Sequence, residues 1–281
     1  GAGMYNFEVS PTVRNCVFTD NQAFEYGGGM FNLGTDANPI ITGCVFRANQ
    51  AGVSGGAMSN QEASPVVTDC LFENNLSGGS GGAVFSASST AQFTDCTFND
   101  NNATTTGGAF SVLEADCVIT DCLFTENESL QGGGAIFVNQ GAPLITGCRF
   151  FENVCQSSGG AVYNLGPIGV GIATTPFYVN CIFAENQAVD FGGAIFNNDA
   201  APIISNSTIY GNVALLDGGG VSNFEANARI TNSIVWGNLG QDIHENLSLT
   251  FVDYSVVEGS VGGAGNLFVN PRLEDPANRE F

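Results

Sequence analysis

The chain has 281 residues and is strongly acidic: 27 Asp and Glu residues oppose six basic side chains, all Arg, for a formal net charge of −21 at pH 7. An acidic surface of this strength repels nucleic acid and anionic membranes, so we expect neither as a partner. Because no run of about 18 apolar residues occurs, we expect no segment of this chain to insert into a membrane.

A unit of about 26 residues repeats from residue 1 to residue 243. Its clearest column is a cysteine that becomes serine in the last two copies: Cys16, Cys44, Cys70, Cys96, Cys122, Cys148, Cys181, Ser207 and Ser233. An Asn follows five residues later in every copy: Asn21, Asn49, Asn75, Asn101, Asn127, Asn153, Asn186, Asn212 and Asn238. A large apolar residue lies two positions after the cysteine, as at Phe98, and a Gly pair opens each unit, as at 107–108. A fixed period of this length indicates a solenoid.

The unit predicts an all-β solenoid, because its apolar runs are short and show no helical periodicity. Each coil has room for about three short strands with turns between them. Stacking pairs every strand with its counterpart one coil away, which makes a parallel β-helix of about nine to ten coils. The Leu ladder that a leucine-rich repeat of similar period requires is absent.

Alternation within the unit predicts which side chains face inward. The Cys, the apolar residue two positions later and the apolar residue three positions earlier, as at Ile119, are all expected inside. The inward apolar residue and the inward Cys are three positions apart, whereas a straight strand would point two such side chains to opposite faces. The chain must therefore bend at the intervening Thr-(Asp, Gly or Asn) dipeptide. The repeated Asn is expected to form a second corner, with its amide bonded to the next coil. The Gly pair opens a strand where no side chain fits or φ is positive.

The seven repeat cysteines are expected to form a column of free, buried thiols. Neighbours would lie about 4.8 Å apart between Cα atoms, a distance that a disulfide permits. Parallel Cβ directions, and the change to Ser207 and Ser233 without loss of a bonded partner, favour free thiols over that alternative. Cys117 and Cys155 lie at other positions of the coil.

Residues 1–243 are expected to form the coils, and residues 244–281 a degenerate last coil and C-terminal cap of the same domain. Extra residues near 35–36 and within 166–174 fall on one edge, as tolerated loops or a binding edge. In the C-terminal segment, 249–257 is predicted to be one strand, and 262–269 to complete a distorted coil. The Pro-bearing tail 271–276 is expected across the open end.

The residues do not establish a catalytic site. His244 is the sole histidine, which excludes a metal site built from several histidines, and no Gly-x-Ser-x-Gly turn accompanies it. Two outward columns carry acids: Asp69, Asp95 and Asp121 before the Cys, and Asp20, Asp100, Glu126, Glu152 and Glu185 before the Asn. Stacked carboxylates recruit a cation, so Ca²⁺ is predicted at Asp69, Asp95, Asp121, Asp100, Glu126 and Glu152. The alternatives are an ordinary solvated surface and a carboxylate pair that hydrolyses glycosides.

Two surface features bear on contacts with other molecules. An aliphatic row lies between the inward Cys and Phe columns and is expected to be a contact surface or to be covered by a neighbouring segment. Its members are Val17, Val45, Leu71, Leu123, Ile182 and Ile234. A groove lined by acids and by exposed aromatic residues such as Tyr178 and Trp236 would instead favour polysaccharide binding.

The glycine and asparagine motifs resemble those of a known family. Residues 133–136 (Gly-Gly-Ala-Ile) with Phe124 and Asn127, and residues 192–195 with Phe183 and Asn186, are similar to the repeats of chlamydial polymorphic outer-membrane proteins. More broadly, the chain resembles right-handed β-helix repeat proteins of bacterial cell surfaces. The resemblance covers residues 1–243 and implies a secreted right-handed β-helix passenger that acts as an adhesin or surface scaffold.

These observations favour an extracellular or cell-surface rod from a larger bacterial protein, with an adhesive or structural role and no enzyme activity. The expected partner is a cell-surface or matrix component, with a polysaccharide as one candidate. Self-association through the ends or a flank of the solenoid is a further expectation. The alternative is a polysaccharide-binding or polysaccharide-degrading β-helix of the lyase or hydrolase type.

Overall fold

The computed structural model describes residues 1–167, 174–259 and 261–273. Throughout these segments the chain forms short strands joined by turns, and they contain no helix. The strands wind into a right-handed parallel β-solenoid of about ten coils with a period near 26 residues, which confirms the predicted fold. Since the described residues lack helices, they also contain none that is long and apolar enough to cross a membrane.

The described segments contain 38 strands of two to four residues, and each of the first eight coils contributes four of them. In chain order they are β1 (Met4–Phe7), β2 (Thr12–Arg14), β3 (Val17–Thr19), β4 (Gln22–Ala23), β5 (Met30–Leu33), β6 (Ile40–Thr42), β7 (Val45–Arg47), β8 (Gln50–Ala51), β9 (Met58–Gln61), β10 (Val66–Thr68), β11 (Leu71–Glu73), β12 (Leu76–Ser77), β13 (Val84–Ala87), β14 (Gln92–Thr94), β15 (Thr97–Asn99), β16 (Asn102–Ala103), β17 (Phe110–Leu113), β18 (Val118–Thr120), β19 (Leu123–Thr125) and β20 (Glu128–Ser129). They continue as β21 (Ile136–Asn139), β22 (Leu144–Thr146), β23 (Arg149–Phe151), β24 (Val154–Cys155), β25 (Val162–Leu165), β26 (Phe177–Val179), β27 (Ile182–Ala184), β28 (Gln187–Ala188), β29 (Ile195–Asn198), β30 (Ile203–Ser205), β31 (Thr208–Tyr210), β32 (Val213–Ala214), β33 (Val221–Phe224), β34 (Arg229–Thr231), β35 (Ile234–Trp236), β36 (Ile243–Asn246), β37 (Phe251–Asp253) and β38 (Val256–Val257).

The strands form four parallel sheets along the solenoid. Sheet A contains the four-residue strands from β1 to β36, sheet B runs from β2 to β37, sheet C from β3 to β38, and sheet D from β4 to β32. The sequence predicts only three strands per coil, and sheet D is the fourth. Its two-residue strands are too short to show an alternating pattern, so the sequence could not indicate them.

Left-handed backbone marks the corners between sheets. The bend predicted between sheets B and C is confirmed, with φ of 52° at Asp69, Asp95 and Asp121. The predicted position of the corner between sheets C and D is wrong by one residue. The positive φ occurs at the residue before the Asn, for example 52° at Asp100. The Asn itself, as at Asn101, is fully buried because its amide must point inward to reach the next coil.

The Gly pair has two separate steric causes. The first glycine has a positive φ, as at Gly107 with 66°. At the second, a Cβ on Gly108 would collide with the carbonyl oxygen of Gly134 in the next coil. Both predictions for the pair are confirmed, because one glycine supplies the turn and the other permits close backbone packing.

Phenylalanine rings form the centre of the core. Phe46, Phe72, Phe98, Phe124 and Phe150 are fully buried and lie nearly parallel. Their successive ring centroids are 4.7–4.9 Å apart. Since each inward ring contacts its equivalent in the coils on both sides, the stack runs along the axis of the solenoid.

The cysteine column consists of free thiols, as predicted, and all nine cysteines are unpaired. Six of the seven column thiols are buried, but the expected burial is wrong for Cys16 in the first coil, which is exposed. The thiols also do something that the sequence did not indicate. The sulfur of Cys122 accepts the backbone N–H of Cys96 at 3.4 Å, and the hydroxyl of Ser207 accepts that of Cys181 at 3.1 Å. Serine can therefore replace cysteine because either side chain satisfies the N–H of the preceding coil. Burial raises the pKa of the Cys181 thiol to about 12, so it stays protonated.

The ninth coil, which contains β33, β34 and β35, is shorter than the eight coils before it. Val221 in β33 pairs with Ile243 in β36, a step of 22 residues, and the shortened coil has no strand in sheet D. The segment predicted as one strand, 249–257, instead forms β37 and β38 with a corner at Tyr254, where φ is 52°. Leu267 then bridges to Val256.

Two predicted loops and the tail have different outcomes. The insertion near 35–36 forms a turn between β5 and β6, closed by the Ala37 N–H donating to the Gly34 carbonyl at 3.0 Å. This is the edge between sheets A and B where both insertions are predicted. Most of the second insertion, 168–173, and residues 274–281 of the predicted tail lie outside the described residues.

Candidate functional site

The six acids of the predicted Ca²⁺ site lie in two separate columns. Asp69, Asp95 and Asp121 occupy the corner between sheets B and C, in register along the axis. Asp100, Glu126 and Glu152 occupy the corner between sheets C and D. A three-residue strand of sheet C separates the columns. The six acids therefore form two groups of three and not one group of six.

The corner geometry explains why acids recur at these places. Asp tolerates left-handed backbone, and its six equivalents in the first column are Asn or Gly: Asn15, Gly43, Gly147, Asn180, Asn206 and Asn232. Among the described residues, no group of three or more His, Cys, Asp or Glu side chains is arranged to hold a metal ion. A weaker Ca²⁺ site on one column, completed by backbone and water oxygens, stays a prediction.

The aromatic residues proposed for a polysaccharide groove do not form one. Tyr178 is fully buried and its hydroxyl donates to Asn164 Oδ1 at 2.7 Å, so its expected exposure is wrong. A phenol fits this inward position because the buried amide accepts its hydroxyl hydrogen. Trp236 is partly exposed on the outer side of sheet C. The described cavities of 490–540 Å³ that border Phe24 or Phe251 lie at the two ends of the solenoid.

The outer face of sheet A carries a feature that the sequence reading missed. The second residue of each sheet A strand points outward, and register aligns these residues into one column. In chain order the column is Tyr5, Phe31, Ser59, Phe85, Ser111, Phe137, Tyr163, Phe196, Ser222 and His244. The repeat template, Gly-Gly-Ala-aliphatic-(aromatic or Ser), contains this signal at its last position. The left-handed backbone at the Gly corner interrupts strand alternation, so the sequence did not show which side of the sheet that position faces.

Rings and serines alternate so that the rings cover the serines. Phe31, Phe85 and Phe137 are partly exposed, whereas Ser59 and Ser111 between them are buried, at 0% and 3% exposure. A buried residue in an outward column must be covered by its neighbours, and the flanking residues along that column are the rings. The rings therefore lie over the serine positions and form a continuous apolar strip.

Carboxylates alternate with the rings along one rim of this strip. The rim residue directly follows each sheet A strand and has left-handed backbone, with φ of 58° at Glu62 and 48° at Glu114. In coils two to six the rim residues are Gly34, Glu62, Ser88, Glu114 and Gln140. Within these five coils, each coil with an aromatic ring has an uncharged rim residue and each coil with a serine has a glutamate. The pattern does not extend further, because Glu8 follows the strand of Tyr5 and Asp199 follows the strand of Phe196.

We call this surface the sheet A face and define it by Phe31, Phe85, Phe137, Glu62 and Glu114. Both glutamates are exposed, and neither takes part in the ion pairs found in the described segments. The described arginines lie elsewhere: Arg14, Arg47, Arg149 and Arg229 on sheets B and C, and Arg272 in the tail. The sheet A face therefore combines exposed aromatic edges with negative charge and no described arginine.

The aliphatic row predicted on sheet C does face outward and is partly exposed, as the rings on sheet A are. Val17 in the first coil is 64% exposed, whereas Leu71, Leu123 and Ile182 are only partly exposed. Arg149 interrupts the row in β23. The row is therefore less continuous than the strip on sheet A, and we place the candidate contact surface on sheet A.

A buried amide ladder ends in an acid at the C-terminal end of the solenoid. Nδ2 of each ladder Asn donates to Oδ1 of the next, as from Asn101 to Asn127 at 2.9 Å, which confirms the predicted amide ladder. After Asn238 the acceptor is Asp242, whose Oδ1 takes bonds from the Asn238 N–H and Nδ2 at 3.2 and 2.8 Å. Burial is the main cause that raises the pKa of the Asp242 carboxyl to about 6. Its other oxygen accepts the Glu258 N–H at 3.0 Å.

Comparisons with known proteins agree with this architecture. A family model described as right handed beta helix region matches residues 1–150, more than half of the chain. The Chlamydia polymorphic membrane protein repeat matches residues 180–198, which include the second copy of the motif quoted above, and that repeat is typical of outer-membrane or surface proteins. No curated protein matches the chain.

One solved structure is also similar. It is a trypsin-treated form of QnrB1, a plasmid-mediated fluoroquinolone resistance protein, at 11% identity and with a TM-score of 0.26. The match covers 87% of this chain and 92% of that chain. A likeness this weak carries no argument about function.

Proposed function

Because this chain belongs to the right-handed β-helix family, and carries a polymorphic membrane protein repeat, we propose that it is an extracellular rod of a bacterial surface protein. In this proposal the rod has an adhesive or structural role and no enzyme activity. Its sheet A face contacts a cell-surface or matrix component.

The observation that carries the proposal is the partly exposed aromatic strip on a regular flank of the solenoid. Exposed rings in a row lose contact with water when a partner covers them, and aromatic residues are enriched in contact surfaces for this reason. Phe31, Phe85 and Phe137 lie in one column and on successive alternate coils, so one partner can cover all three. A rigid solenoid holds such a column straight without further ordering on binding.

The position of the acids favours a binding rod over a hydrolase. The backbones of adjacent members of one acidic column are about 4.8 Å apart along the solenoid axis, a distance that suits a carboxylate pair. However, Asp69, Asp95 and Asp121 are exposed at a corner of the rod, away from the described cavities at its ends. A corner exposed to water supplies neither substrate enclosure nor the low dielectric that tunes a catalytic pair.

The proposal is tested by measuring retention of the labelled full chain on bacterial cells and on immobilised matrix components. The variant Phe85→Ala with Phe137→Ala removes two strip rings. The matched control is Phe24→Ala, because Phe24 is an aromatic residue with 93% exposure next to sheet D. We expect retention of the wild type and of the control, and loss of retention in the double variant. Equal retention of all three proteins would contradict the proposed contact face.

The alternative function is binding or degradation of a polysaccharide. The same aromatic strip supports it, because sugar rings stack on exposed aromatic side chains. Incubation with a panel of neutral and acidic polysaccharides, followed by assays for reducing ends and unsaturated products, separates the two functions. Product release by the wild type would overturn the non-enzymatic proposal.

A further inference from the structure

We propose that the sheet A face binds a basic, proline-rich polypeptide segment in the polyproline II conformation, lying parallel to the axis of the rod. The inference deepens the proposed function, because it names the class of partner for the same face. It depends on the charge, the spacing and the chemistry of the five residues that define that face.

Charge complementarity favours a cationic partner. Glu62 and Glu114 project from the rim without an ion-pair partner in the described segments, and the described arginines lie on sheets B and C or in the tail. The whole chain adds a net charge of −21, which repels acidic peptides and anionic glycans. An Arg or Lys side chain gains from both groups of the face, since it bonds to a carboxylate and is attracted to an aromatic ring.

Across coils two to six, the spacing on the face has a period of two coils, whereas Tyr5 before them and Tyr163 after them lie in directly adjacent coils. Phe31, Phe85 and Phe137 occupy alternate coils, and Glu62 and Glu114 occupy the coils between them. Adjacent strands are about 4.8 Å apart, so equivalent groups recur roughly every 9.6 Å along the axis. A partner that contacts every ring and every carboxylate must therefore repeat its own chemistry at about that distance.

A polyproline II segment has the matching repeat. It has three residues per turn and a rise of about 3.1 Å per residue, so every third side chain points the same way at intervals of about 9.3 Å. In an extended β-strand, side chains on one face recur about every 6.6 Å, which does not match the spacing of about 9.6 Å between equivalent groups on the sheet A face. Proline rings pack on aromatic side chains, and a preformed polyproline helix loses little entropy on binding.

The experiment titrates the full chain with a fluorescent peptide of four Pro-Pro-Arg repeats at low salt. A peptide of four Gly-Gly-Arg repeats has the same charges at the same sequence spacing without the preformed helix. We expect the proline peptide to bind at least tenfold more tightly, and 0.5 M salt to weaken it strongly because the glutamates are exposed. Equal affinity for the two peptides would overturn the proposed conformation.

Variants assign the binding to the face. Glu62→Gln with Glu114→Gln removes two rim charges, whereas Glu25→Gln with Glu128→Gln removes two charges on or beside sheet D. We expect the first pair to weaken binding at least tenfold and the second to change it less than twofold. Equal weakening by both pairs would reduce the effect to net charge and overturn the inference.

A neutral glycan is the competing occupant. If cellohexaose binds in a manner that needs Phe85 and Phe137 but not Glu62 and Glu114, the occupant is a sugar chain and the peptide inference is wrong. Loss of peptide binding in every assay, with retention on cells intact, would remove the inference and leave the proposed surface role standing.

Discussion

The amide ladder and the sheet A face both repeat with every coil, yet they follow different rules. Asn101 accepts bonds from Asn75 and donates to Asn127, so each ladder amide needs an identical residue in both adjacent coils. The outward position of sheet A has no such requirement and alternates between residues such as Phe85 and Ser111. The ladder column is uniform because each amide requires the same residue in the adjacent coils, whereas the outer position of sheet A is free to carry a pattern that suits a partner.

The largest expected difference between the two regions is in stability. Phe124 is fully buried, with ring centroids 4.7 and 4.8 Å from Phe98 and Phe150. Phe124→Ala should lower the free energy of unfolding by about 3–5 kcal/mol, because it leaves a cavity in the stack. Phe137→Ala on the sheet A face should cost only about 1 kcal/mol, since that ring is partly exposed. Urea denaturation compares the two, and equal losses would contradict the distinction.

The ladder itself should be almost as sensitive. Asn101→Ala removes the acceptor of the Asn75 N–H and Nδ2, at 3.0 and 2.9 Å, and leaves both buried donors unsatisfied. We expect a loss of about 3 kcal/mol in the free energy of unfolding. Asn102→Ala is the matched control, because Asn102 is the adjacent residue and faces outward in β16. If the control loses as much as Asn101→Ala, the amide bonds do not stabilise the corner.

Calcium should have a smaller effect, confined to the corners. A weak site with a Kd near 10⁻⁴–10⁻³ M would gain about 1–3 kcal/mol at 10 mM Ca²⁺, which calorimetry detects as a higher Tm. One of two triple variants should abolish the shift, according to which column binds Ca²⁺. The first is Asp69→Asn with Asp95→Asn and Asp121→Asn, and the second is Asp100→Asn with Glu126→Gln and Glu152→Gln. Asn keeps the left-handed corner in the first set. An unchanged Tm in the wild type would remove the Ca²⁺ prediction.

The smallest expected effect concerns the end of the ladder. The pKa of Asp242 is raised from 3.8 to about 6, mainly by burial, so the folded state binds this proton more tightly than the unfolded state. The stability of the wild type relative to Asp242→Asn should therefore rise as pH falls from 7 to 4, by about 1–2 kcal/mol. Urea midpoints measured across this range provide the test. Parallel pH profiles for the two proteins would show that Asp242 does not titrate as described.

Much of the fold could be predicted from the sequence because a stacked column repeats its chemistry. The Cys, Phe and Asn columns, the Gly corner and the parallel pairing follow from residues such as Cys122, Phe124 and Asn127 at a fixed phase. Sheet D could not be predicted, because a strand such as Asn102–Ala103 is too short to alternate. Tyr178 was misplaced because its hydrogen-bond partner, Asn164, belongs to a different strand of the same coil.

The candidate site was harder to predict than the fold. The aromatic-or-serine position is visible in the repeat, but its outward direction depends on the backbone of the Gly corner, which strand alternation does not describe. Similarly, Asp242 replaces a ladder Asn only because the ninth coil is four residues shorter, with a step of 22 residues where 26 is usual. Where the period changes, a residue such as Asp242 can take a role that its position in the repeat does not predict.

The most direct test of the account measures stability and retention on the same proteins. Phe85→Ala with Phe137→Ala should lose only about 2 kcal/mol of stability, less than Phe124→Ala, yet lose retention on cells and matrix. Phe124→Ala, assayed at a temperature where it is folded, should show a much lower midpoint with retention unchanged. The account would be contradicted by a double variant that unfolds as readily as Phe124→Ala, or by one that is retained as well as the wild type. Either result would show that the interior residues that stabilise the fold and the outer residues that bind a partner are not distinct.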